Sequence, residues 1–131
     1  GADMHGYNTD AGQTKAADME TNPFFGKTRF CLTHAMTELL ALGMSMNDVV
    51  STVTSNAAGM LGIDDESGSL SVGQVADVAV LERLTGRFTL SDNSGATVVG
   101  SEAIRPVFSL REGVYFAVDS PVVVEPMELA S

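Results

Sequence analysis

The stretch Gly68-Ser69-Leu70-Ser71-Val72-Gly73-Gln74-Val75-Ala76-Asp77-Val78-Ala79-Val80-Leu81 changes character halfway along. Its first half spaces two glycines among serines, which is turn chemistry, because glycine reaches backbone angles that side chains oppose. From Val75 it reads Val-Ala-Asp-Val-Ala-Val-Leu, a nearly continuous apolar run of strand length. Such a run predicts a strand covered on both faces. A turn leading into such a strand marks a switch in architecture, and the sequence on either side agrees.

Upstream, helical spacing dominates. Phe30, Leu32, Ala35, Met36, Leu39, Leu40 and Leu42 recur at intervals of three and four, predicting a helix over about 28–42 that Gly43 ends. Ser45, with Asp48 three residues on, approximates a capping box for a second helix over about 46–54 that buries Val49, Val50 and Val53. Asn56 reads as the cap of a third, short helical turn closed by Gly62, and Met36, Met44 and Met46 read as core filling. Residues 1–27 are polar and rich in turn formers, the pattern of a long loop.

Downstream, β-branched residues take over. Residues 87–91 and 96–100 flank Asp92-Asn93-Ser94-Gly95, and 106–110 and 114–118 flank Arg111-Glu112-Gly113, which predicts two hairpins. The tail from Ser120 reads as irregular. The composition therefore divides near residue 62 into a helical part, 1–62, and a β-rich part, 63–131. Neither part covers its own apolar faces, so the chain is expected to be a portion of a larger protein, its first residue not a true start. An exposed apolar strand edge would also favour pairing with a second copy.

Composition excludes several classes. Seventeen acidic residues against seven basic ones give a net charge of -10, without a local Lys/Arg cluster, so a nucleic-acid partner is not expected. No run approaches the roughly 18 apolar residues of a membrane span, and the first residues lack the basic and apolar regions of a secretory leader. The single Cys31 has no internal disulfide partner and sits in an apolar run, the setting of a buried structural thiol. A reducing, cytoplasmic setting is the expectation. His34 falls at the polar edge of the first helix and reads as structural or exposed.

Three patterns then occur in order: Asp3 with His5 where the first loop opens, Thr54-Ser55-Asn56-Ala57-Ala58-Gly59-Met60-Leu61-Gly62, and the glycine-punctuated stretch 68–81. Together they resemble the C-terminal third of the amidohydrolase superfamily, in which a T-x-N-P-A-x-x-L-G helix leads to a G-x-L-x-x-G-x-x-A-D strand pair. Ala57 stands where that pattern has proline, which removes a helix-start preference but leaves the helix viable. The segment 87–108 is most similar to the dihydroorotase-like amidohydrolases and deacetylases. The resemblance implies an α/β architecture, the last strand and helices of a (β/α)8 barrel followed by antiparallel strands of a small β-sandwich. It implies a metal-dependent hydrolase of carbon–nitrogen bonds other than peptide bonds, with one or two divalent metals, zinc being the expected one. Asp3 takes the position of the aspartate that ends the final barrel strand, as metal ligand and catalytic proton carrier, and His5 is a candidate for substrate binding. Catalytic groups of such barrels lie at C-terminal strand ends.

The implied substrate is a small amide or cyclic amide. A hydrolytic metal site needs about three protein ligands, and His5 and His34 are the only histidines. The remaining ligands are expected in an N-terminal portion of the same protein, and this chain alone is expected to be inactive and to bind no metal tightly. The rival reading is a noncatalytic β-rich binding or scaffold module with a helical preface.

Overall fold

The computed structural model describes residues 32–91 and 96–118. Among the described residues, three helices precede one antiparallel sheet: α1 (Leu32–Ala41), α2 (Met46–Val53), α3 (Ser55–Leu61), then β1 (Val78–Ser91), β2 (Thr97–Arg111) and β3 (Val114–Ala117), with strand order β1-β2-β3.

The helix ends follow local chemistry. Past α1, Gly43 adopts φ +98; its N–H donates to Leu40 O, and that of Met44 to Leu39 O. This paired capping pattern satisfies the last carbonyls of a helix. Gly62 repeats it after α3, with φ +69 and the Ile63 N–H on Ala58 O at 3.0 Å. At α2 the Ser45 hydroxyl oxygen accepts the Asp48 N–H at 3.2 Å and donates to the Asp48 carboxylate at 2.7 Å. Asn56 is not a cap: α3 begins one residue earlier, at Ser55, because Thr54 O already accepts the Ala58 N–H at 2.9 Å. Val49 is fully buried, whereas Val50 is exposed beside an open groove, and Met44 is exposed beyond the helix end.

The strands are longer than the sequence pattern predicts. Residues 78–91 form one continuous strand against 97–111, where shorter pieces were expected. Register shifts between Thr85 and Phe88, and between Val80 and Leu81, absorb the interruptions. The first sets Gly86 and Arg87 against Ser101, and the second leaves Val107 as an extra residue beside Pro106. A proline is tolerated at such a bulge because it need not donate to a ladder. Opposed Glu82 and Arg105, and diagonal Arg83 and Glu102, form exposed ion pairs across the polar middle. The strand starts at Val78 rather than Val75, and its first turn is not covered among the described residues: Val75 and Leu81 are exposed.

The core joins the helices to the sheet. Phe88, Leu90 and Ala103 form one buried cluster, packed by Ala41, Leu84 and Val98. Met36, Val49 and Ile104 form the other, packed by Leu39, Leu40, Met46 and Val53. Consecutive β2 residues thus enter different clusters, and α1 contributes to both, so it runs along the outer edge of β2. Gly100 permits this approach, since a Cβ there would lie 3.0 Å from Ala41 Cβ.

Candidate functional site

The turn 63–77 is built from the motif residues themselves. Gly68 has φ +94, and a Cβ on it would lie 2.6 Å from Ala58 Cβ and 3.2 Å from Thr54 O. Conformation and space both require glycine there. The helix motif 54–62 and the turn at 68 are therefore one packed unit. Gln74 ties the rest: its Oε1 accepts from the Ser69 N–H at 3.2 Å and the Ser69 hydroxyl at 2.8 Å, and its Nε2 donates to Asp64 O at 2.9 Å.

Asp77 has a structural task. Its Oδ1 accepts the Glu112 N–H at 2.8 Å, and Ala76 O accepts the Gly113 N–H at 3.0 Å. Glu112 and Gly113 form the two-residue turn between β2 and β3, with φ +49 and +79. Two central residues at positive φ define the mirror-image turn that suits strand twist, and glutamate is an unusual first residue for it. The two hydrogen bonds offset that strain.

Between these parts lies an apolar groove of about 580 Å³. Met36, Val53 and Leu61 wall it from the helices, Leu70 from the turn, and Val78 and Leu81 from β1. Its lining lacks a converging set of charged or nucleophilic groups. Among the described residues, no group of three or more His, Cys, Asp or Glu could hold a metal ion. The divalent metal implied by the resemblance thus finds no fitting donor set in this part of the chain. His34 is mostly buried and its Nε2 faces Glu38 Oε1 at 3.3 Å, one helical turn away. That is a local pairing on α1. Asp3, His5 and Cys31 lie outside the described residues.

Sequence reading missed Thr37, which is fully buried and bonds to β2. The available signal was a hydroxyl next to Met36 on the apolar side of a helix. It also missed Gln74, a lone amide between turn and strand, whose partners could not be read from spacing. No helix among the described residues is long and apolar enough to cross a membrane.

Comparison with known proteins places this architecture. The chain is 40% identical over 75 residues to a probable imidazolonepropionase of Nematostella vectensis, covering 55% of this chain and 17% of that relative. A crystal structure of an adenine deaminase superposes with a TM-score of 0.62 at 26% identity, over 66% of this chain and 23% of that one. A crystal structure of a dihydroorotase does so with a TM-score of 0.58 at 26% identity, over 65% of this chain and 23% of that one. The chain thus spans a minor part of each protein's length. Residues 22–105 match the model of the amidohydrolase family, a span that takes in the helices, the glycine turn, all of β1 and most of β2. By that match over more than half of its length, the chain belongs to the amidohydrolase family.

Proposed function

We propose that this chain is the C-terminal part of a metal-dependent amidohydrolase that hydrolyses carbon–nitrogen bonds of a small amide or cyclic amide. The observation that carries the proposal is the family match over 22–105. The packed Gly68–Ala58 unit lies within that span and supports it. Within the proposal, residues 1–62 complete the barrel and 63–131 contribute strands to a β-sandwich. The exposed Val75 and Leu81 would then be covered by a second layer from the rest of the protein. Asp3 is this chain's ligand to the metal centre, with zinc as the expected ion, and His5 stands near the substrate. The other ligands come from residues outside this sequence. The names imidazolonepropionase and dihydroorotase suit a cyclic amide, the name adenine deaminase suits removal of a ring amino group, and an N-acyl substrate (a deacetylase reaction) is the most specific version of the proposal.

The test begins with the coding sequence upstream of Gly1. An H-x-H motif within a barrel-length segment supports the proposal; a stop codon or an unrelated domain there overturns it. The full-length protein would then be assayed on cyclic amides and on N-acetylated amines. Turnover of neither class would refute the activity, and turnover of one decides between them.

A further inference from the structure

We draw no further inference here: the strongest candidate, the apolar groove between α1, α3, the turn at residues 67–70 and the start of β1, carries nothing because nothing in the structure shows what covers it.

Discussion

Thr37 Oγ1 accepts the backbone N–H of Ile104 at 3.0 Å while donating its own proton to Thr33 O at 2.8 Å, joining α1 to β2 across 67 residues of sequence. β3 pairs only with Phe108–Arg111, so at Ile104 the outer edge of β2 has no strand neighbour among the described residues. A helix hydroxyl takes the place of the missing strand. Both residues are buried, and an unpaired N–H there would be costly.

Thr37→Val keeps the shape and removes the acceptor. The full protein should lose about 1–3 kcal/mol, the cost of leaving a buried donor unsatisfied. Thr37→Ser should lose distinctly less. Denaturant midpoints of the two variants provide the comparison, and wild-type stability in Thr37→Val with a loss in Thr37→Ser would show that the methyl, not the hydrogen bond, matters.

Gly68 and Gly73 separate two reasons for glycine. Both have φ near the same positive value, but only Gly68 lies against another chain segment. Gly73→Ala should cost about 1–2 kcal/mol for backbone strain alone. Gly68→Ala adds an overpacking penalty of about 1–3 kcal/mol. Thermal unfolding of the pair should therefore rank Gly68→Ala clearly lower.

At the β2–β3 turn, Glu112→Asn should stabilise by about 0.5–1 kcal/mol, since asparagine tolerates the left-handed region better than glutamate. Asp77→Ala should act oppositely, losing about 1 kcal/mol with its exposed hydrogen bond. Amide hydrogen exchange gives the local readout. The Glu112 N–H should exchange faster in Asp77→Ala, and unchanged protection would rule out the bond.

The ion pairs Arg83–Glu102 and Arg105–Glu82 are exposed to solvent. Replacing either arginine by methionine should change stability by no more than about 1 kcal/mol, the range of surface pairs. A larger loss in a melting experiment would show that these pairs contribute more than ordinary surface pairs do.

Asp3 carries the one prediction about chemistry. If Asp3 has its proposed role, Asp3→Asn in the active enzyme should lower kcat by on the order of 100-fold or more, the usual scale for a proton-handling group. Wild-type turnover in that variant would remove Asp3 from the site.

Much of the helical half was legible because its signals are local. Ser45 with Asp48, Gly43 and Gly62 each act within a few residues, where sequence can be read directly. The long hairpin was not legible, because its continuity depends on partners far away. Gly86 and Pro106 look like breaks until bulges accommodate them, and Glu82 and Arg83 look like loop until Arg105 and Glu102 face them. Asn56 has the residue type of a cap, yet Thr54 O captures the first helical N–H. Family membership was readable from the glycine-punctuated turn. The proposed metal site was not, since such a site gathers ligands from distant strands; Asp3 and His5 themselves fall outside the described residues.

The clasp of Asp77 on Glu112 joins residues 35 positions apart, one just before β1 and the other just after β2. A one-residue slip between these strands of 14 and 15 residues would turn every side chain of one strand to the opposite face. Sliding would carry the turn away from Ala76 and Asp77 and break both bonds together. The clasp therefore acts as an alignment pin: it selects one offset for the whole ribbon, and with it the face on which Phe88 and Leu90 meet the helices.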